Sequence, residues 1–298
     1  MKTWKHGIIG IIAVLAIIAL AFTACPNDDN NGGKRTTPAV EMVRIEGGTF
    51  QMGKGLGTAN AGNVPPVHTV TLDGFYMGKY EVTQGQYQAV MGEGAMPENI
   101  VEFNNGTYGK GNNYPMYFVS WYNAVEFCNA LSVLERLTPY YTINKEQWDP
   151  NNTQISDGRR WLVTPNATAN GYRLPTEAQW EYAAKGGNTG ETFTYSGSDD
   201  PDTVAWYLGN TSQEVGTKAP NGLGLYDMSG NVSEWCWDWY GPYPDYEETD
   251  PMGASGGANR VTRGGDGRYP QDTVRSVYRN SSNPDNWYYY IGFRLVRP

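Results

Sequence analysis

From Val43 onward the chain alternates apolar and polar residues in short runs, each broken by Gly, Pro or Asn. "VRIEGGTFQMG" (Val43–Gly53) and "HTVTLDGFYMGKYEVT" (His68–Thr83) repeat with a period of two, which sends neighbouring side chains to opposite faces and predicts strands joined by tight glycine turns. After Thr83 the period changes. In "TQGQYQAVMG", Tyr87 and Val90–Met91 fall at helical spacing behind a Thr cap, which predicts a short helix. "SWYNAVEFCNALSVLERL" predicts a longer one: Ser120 can cap it, and Ala124, Phe127, Cys128, Leu131 and Leu134 share one face. "PTEAQWEYAAKGG" (Pro175–Gly187) predicts a third, opened by Pro175 or Thr176, with Glu177 in its first turn, Trp180, Ala183 and Ala184 as its apolar stripe and Gly186 as its stop. Between the last two, the Asn-rich Thr142–Gly171 stretch has little apolar pattern and reads as a surface excursion. No repeat of fixed period and no phosphate loop is present.

The amino end follows another logic. Lys2 and Lys5 precede an apolar run from Gly7 to about Phe22 that ends in "FTAC". This pattern resembles the signal peptide and lipobox of bacterial lipoproteins, in which Cys25 becomes the lipidated first residue; an uncleaved anchor is the alternative. Either way the chain is expected to be exported and tethered to a membrane, with the outer cell surface as its place. Residues 1–24 are then the leader, and 25–40 a lipidated stalk whose "PNDDNNGGKRTTP" offers almost nothing to bury. Residues 41–298 form the domain.

Composition narrows the chemistry. With 37 Gly, 10 Trp and 22 Tyr among 298 residues and only 18% charged, short strands and packed loops are favoured over a helical bundle. Without the leader, 20 basic residues face 31 acidic ones, a net −11, so nucleic acid is not an expected partner. There are two histidines, and His6 lies in the leader. His68 alone cannot build a His-rich zinc or iron site, and in an alternating strand it reads as structural. Cys128 and Cys236 sit beside aromatic residues and read as two buried thiols, although a pairing in an oxidising compartment stays open.

Six segments taken in order resemble the formylglycine-generating enzyme family, also called sulfatase-modifying factors: "VRIEGGTFQMG", "FYMGKYEVTQGQY", "YPMYFVSWYNAVEFCNALS", "GYRLPTEAQWEYAAKGG", "APNGLGLYDMSGNVSEWCWDWY" and "RVTRGG…RSVYRN…PDN…IGFRLV". The resemblance covers about Val43 to Arg297. It implies an α+β, C-type-lectin-like fold with short strands, two to three helices and long loops, in which the first and last strands pair. It also implies a calcium loop at "LYDMSGNVSEW". There Asp227 and Glu234 would give carboxylate oxygens while Gly230 and Val232 give backbone carbonyls. The same two acids could instead hold the loop by accepting backbone N–H groups, so calcium as a structural cofactor stays open. Active members of the family carry a cysteine pair after the paired glycines to bind copper. Here the stretch from Asp266 to Arg279, "DGRYPQDTVRSVYR", has no cysteine. Copper is therefore not expected and catalysis is expected to be lost.

What fills that stretch is the remaining clue. Between Asp266 and Tyr290, Tyr, Asn, Ser and Asp occupy 14 of 25 positions, the composition binding loops use when a surface must fit an arbitrary target. All four types are reachable from an Asn codon by changing adenines. Residues from about 260 to 298 thus resemble the variable region of retroelement-diversified surface lipoproteins of spirochaetes. The expected contact residues are Asp266, Gly267, Arg268, Tyr269, Tyr278, Ser282, Asn283, Asn286, Trp287, Tyr288, Tyr289 and Tyr290, with Arg275, Arg279 and Phe293 holding the frame. Alternation along "WYYYIGF" predicts at least one exposed tyrosine among Tyr288–Tyr290. The expected ligand is an unidentified protein or glycan. A formylglycine-generating oxidase and a calcium-dependent glycan binder are the rival readings.

Overall fold

A computed structural model of the chain describes residues 39–53, 55, 66–97, 108–209 and 211–298. The leader, Cys25 and the stalk to Pro38 lie outside the described residues, among which no helix is long and apolar enough to cross a membrane.

The alternating runs form strands in the expected places. β1 (Met42–Ile45) and β2 (Gly48–Met52) come from the first run, β3 (His68–Leu72) and β4 (Phe75–Gly78) from the second. Gly47 separates β1 from β2 because a Cβ there would meet the Leu72 carbonyl oxygen at 2.5 Å. β1 pairs with β4 and β2 with β3, both antiparallel, so the two halves of each run part into different sheets. α1 (Gln84–Met91), α2 (Trp121–Leu134) and α3 (Glu177–Ala184) are the three expected helices. Each starts with a reciprocal capping box, Thr83 with Gln86, Ser120 with Asn123 and Thr176 with Gln179, which satisfies two otherwise orphaned N–H groups apiece. α3 differs from expectation in one respect. All eight of its residues are buried, so it has no solvent face and its polar side chains must find partners inside.

The polar stretch after α2 is more ordered than its composition suggests. β5 (Tyr141–Trp148) and β6 (Trp161–Pro165) form an antiparallel hairpin of their own. Most β5 side chains are exposed, and this is why no apolar period marks it. The remaining strands are β7 (Ser233–Trp239), β8 (Glu248–Thr249), β9 (Arg260–Arg263), β10 (Arg279–Ser282), β11 (Ile291–Gly292) and β12 (Val296–Arg297). β9 and β7 form the centre of a four-stranded sheet with β10 and β11 at its edges. The first and last strands share a sheet but do not pair: β4 lies between β1 and β12 and bonds to both.

Two apolar clusters fill the interior. One surrounds α2 (Trp121, Phe127, Leu131) and reaches Trp235 and Phe293; the other surrounds α3 (Trp180, Tyr182) with Ile45, Met77 and Val261. Buried charges tie these layers together. Arg263 Nη2 donates to Glu181 at 2.7 Å with neither side chain exposed, and Arg279 chelates Glu177 at 2.8 and 2.6 Å. Although burial alone would raise it, the Glu177 carboxyl is held below its ordinary range by Arg279 and Arg263. Arg279 and the fully buried Phe293 hold the frame as expected. Arg275 is half-buried, pairing with Asp272 three residues away and hydrogen-bonding the side chain of the buried Tyr195.

Candidate functional site

The segment after β9 starts with a forced turn. Gly264 and Gly265 have φ of 87° and 69°, and a Cβ on Gly265 would stand 2.2 Å from the Thr273 carbonyl oxygen. Only glycine fits, and the chain folds back over residues 266–278. Asp266 then turns inward. It is 3% exposed and receives Arg268 through its backbone N–H (3.1 Å), Nε (2.7 Å) and Nη2 (3.1 Å). Gly267 is also buried, with its N–H on the Asn231 carbonyl and its carbonyl receiving Gly209 N–H. Both residues were expected at the contact face. They lie beneath it, because the turn needs their polar groups for itself.

Arg268 is the hub of what lies above. Its Nη1 donates to Tyr289 Oη at 2.9 Å, and its guanidinium carbon lies 3.6 Å from the Tyr290 ring centre, 4.8 Å from that of Tyr269 and 4.9 Å from that of Tyr289. Burial pulls this guanidinium's pKa down, but hydrogen bonding and charge from Asp266 and Tyr289 more than offset it, so Arg268 stays charged. Each cation–ring contact of this kind contributes roughly 0.5–2 kcal/mol. The aromatic network continues inward through Tyr289, edge-on to Tyr108 at 4.8 Å, and outward through Phe118 to Trp287 at 5.7 Å.

The second half of the segment is pinned at several points. Phe118 N–H donates to the Tyr288 carbonyl, Trp121 N–H to that of Pro284 and Ser233 N–H to that of Tyr290. Asp285 accepts from Gly158 N–H and pairs with Arg159, and Asn286 Nδ2 donates to Tyr288 Oη at 2.8 Å. Tyr288–Tyr290 therefore form a turn ahead of the short β11 and not a long strand, and the alternation argument fails. Tyr288 and Tyr290 stack at 5.0 Å, and all three rings are half-buried against the α2 cluster. The open aromatics are their neighbours, Tyr269 at 50% and Trp287 at 49%, joined by Leu208 at 62%. Tyr278, Ser282, Asn283 and Asn286 are partly exposed.

Sequence reasoning missed the residues that complete this surface from elsewhere. Tyr108, Phe118 and Arg159 come from loops far away in the chain, and Leu208 reaches it because Leu208 N–H donates to the Tyr269 carbonyl. No local pattern announces any of them.

The "LYDMSGNVSEW" loop is packed differently. Both Glu234 oxygens face Arg294, with contacts of 2.6 Å each, and Oε2 also receives the Trp180 indole N–H at 2.7 Å. Asp227 Oδ2 accepts Gly216 N–H at 2.7 Å while its Oδ1 is buried without a partner. Gly230, at φ 81°, is held where a Cβ would stand 2.0 Å from the Trp206 carbonyl oxygen, and Val232 N–H donates to Glu81. Burial, then the nearby Asp227 and Glu234, raises the Glu81 carboxyl well above its ordinary range; burial raises Asp227 to about 6. Among the described residues no group of three or more His, Cys, Asp and Glu side chains could hold a metal ion. Cys128 and Cys236 are free, fully buried thiols, and burial pushes both pKa values up, far from thiolate.

Short strands, three helices and long loops tied by buried polar networks define the chain as a C-type-lectin-like α+β domain of the formylglycine-generating enzyme type. The family of the sulfatase-modifying factor enzyme 1-like domain matches residues 28–298, and the chain belongs to it. It is 41% identical to the chaperone protein LppX of Paenibacillus barcinonensis, across 100% of this chain and 99% of that one. It is 30% identical to the formylglycine-generating enzyme of Streptomyces coelicolor, over 86% and 88% of the two chains. Among solved structures it is similar to Treponema denticola variable protein 1, with 34% identity, a TM-score of 0.72 and coverage of 88% of this chain and 98% of that one.

Proposed function

We propose that the protein is a non-catalytic, surface-displayed lipoprotein that binds a macromolecular ligand through residues 266–290, a segment rewritten by a retroelement. One observation carries this reading: Tyr269 and Trp287 stand half in solvent on a segment whose backbone is tied down at both ends. Large rigid aromatic rings on a pre-organised backbone give contact area at small entropic cost. The similarity to a variable protein and the Tyr/Asn/Ser/Asp filling support diversification. A protein ligand also agrees with the name of the Paenibacillus relative, a chaperone. Against an oxidase stands the sequence between Asp266 and Arg279, which offers no sulfur, while the two thiols elsewhere are buried. Lipidation at Cys25 supplies the membrane tether.

The test is binding of the full chain to arrays of cell-surface proteins and glycans, beside Tyr269→Ala and Trp287→Ala. Ligands that either variant loses, at unchanged melting temperature, support the reading. Binding that survives both changes refutes it, and so does copper-dependent oxygen consumption on a sulfatase-motif peptide. Diversification has its own check: the downstream DNA should carry a near copy of the final coding segment differing at adenines.

A further inference from the structure

A cavity of about 310 Å³ opens between the start of β3, the N-terminus of α3, the end of β7 and the proline-bearing loop that leads into β8. It shares only Arg279 with the C-terminal segment, and Arg279 is not free to serve a ligand. Its Nε and Nη2 are on Glu177, its Nη1 donates to the Gly241 carbonyl at 2.9 Å, and its faces lie near the Tyr240 and Tyr243 rings. Glu177 is equally occupied, since Oε1 also receives the Tyr243 hydroxyl at 2.9 Å. These groups form a saturated wall.

Three side chains on the lining are not saturated. His68 is 4% exposed, and neither ring nitrogen has a hydrogen-bond partner. The Glu248 carboxylate is 3.4 Å from His68 Nε2, within ion-pair reach but without hydrogen-bond geometry, and keeps 28% of its side chain exposed. Asp238 accepts Glu177 N–H through Oδ2 alone, and burial with the Glu177 charge raises its carboxyl to about 7, a shift that a cation bound beside it would reverse. A buried imidazole whose two nitrogens both lack a hydrogen bond is costly and rare in folded proteins, and at a cavity wall a guest can supply that bond. Around these groups stand aromatic rings, Trp239, Tyr243 5.2 Å from the His68 ring, and the exposed Tyr246 at the mouth.

The chemistry of the guest follows by elimination. No uncommitted cation lines the cavity, so nothing there attracts an anion. A metal ion is disfavoured because no three or more ligating side chains among the described residues converge. Two carboxyls, one acceptor nitrogen and a ring-lined wall suit a group with several N–H donors, a positive charge and a short apolar stem, and the volume is at the small end for ligand pockets, roughly 300–1,000 Å³. We propose that this cavity binds a primary alkylammonium group, with Glu248 and Asp238 as its counter-charges and Trp239 and Tyr243 around its stem. A free amine and an exposed lysine side chain carry the same group. The site is independent of the C-terminal contact face.

The experiment follows the His68 ring protons of the full chain by NMR, one of only two imidazoles present. The probes are n-butylammonium, 1-butanol as its neutral counterpart, butyrate as its anionic one, and Nα-acetyl-lysine-methylamide as the peptide-borne form. Saturable shifts with butylammonium, absence of them with butanol and butyrate, and roughly tenfold weaker binding in Glu248→Gln and Asp238→Asn are expected, since each variant removes a charge-assisted bond. Trp287→Ala should bind the probe as the parent does while losing the ligand of the C-terminal face. A response to the lysine derivative equal to that of butylammonium assigns the site to lysine side chains, and a weaker one assigns it to free amines. Equal affinity for the neutral or anionic probe, unmoved His68 signals at high butylammonium, or parent-like affinity in both variants would overturn the proposal. Asp238→Asn keeps the acceptor for Glu177 N–H, so it decides the matter should Glu248→Gln fail to fold.

Discussion

The Leu225–Trp235 loop and the Asp266–Tyr290 segment are both rich in polar residues, yet the structure uses them in opposite ways. In the first, the polar groups are turned inward: Glu234 is locked to Arg294 and Trp180, Asp227 to Gly216, and Glu81 receives Asn231 and Val232. In the second, the frame is locked by the Asp266–Arg268, Arg279–Glu177 and Asp285–Arg159 pairs and by main-chain bonds, while Tyr269, Trp287 and their partly exposed neighbours remain open. A polar, Gly-rich motif therefore marks a framework when its charges are buried and matched, and a contact face when its rings are left to solvent. Substitutions in the first should reduce stability, and substitutions at the open positions of the second should reduce binding.

The largest effect is expected for Arg294→Ala. It leaves Glu234 uncompensated beside Glu81 and Asp227, and removing one partner of a buried ion pair costs ~3–5 kcal/mol; denaturant unfolding measures it. Trp287→Ala should shift stability by well under that while costing a bound ligand ~2 kcal/mol or more, read as a change in affinity at constant melting temperature. If Trp287→Ala instead unfolds the protein, the contrast between the regions is lost.

A pH titration sharpens the framework side. Burial raises the Asp227 carboxyl from 3.8 to about 6, so the folded chain holds its proton over a range where the unfolded chain has released it. The folded state then binds more protons, and stability is greatest below the unfolded value and falls as pH rises through about 6. Asp227→Asn keeps an acceptor for Gly216 N–H, tolerates the φ of 57° and cannot titrate. Urea midpoints across that range should decline less steeply in the variant. The smallest effect concerns calcium. With Glu234 facing Arg294, added calcium or chelator should leave the melting temperature unchanged, and a rise with calcium would mean that the Glu234–Arg294 pair gives way to the ion.

Much of this architecture was legible in the residues. The capping boxes at Thr83, Ser120 and Thr176 and the alternation of the first strands are local signals, and local signals placed them correctly. The sequence pattern misplaced what depends on partners distant in the chain. The hairpin of β5 and β6 carries no apolar stripe because most β5 side chains, on both faces, meet solvent, and β4 separates the first strand from the last through pairings that no local pattern encodes. At the candidate site, Tyr269 and Trp287 were readable as open aromatics. The burial of Asp266 was not, because its direction is set by the turn at Gly264–Gly265 and by Arg268. Tyr108, Phe118 and Leu208 carried no signal at all, since only folding brings them beside the segment.

The central claim is a rigid frame beneath an interchangeable face, and position-by-position substitution read by protease resistance of the displayed chain tests it most directly. The account predicts broad tolerance at Tyr269, Tyr278, Ser282, Asn283, Asn286 and Trp287. It predicts loss of folded protein at Arg263, Gly265, Arg279, Phe293 and Arg294. Equal intolerance across both sets would contradict it.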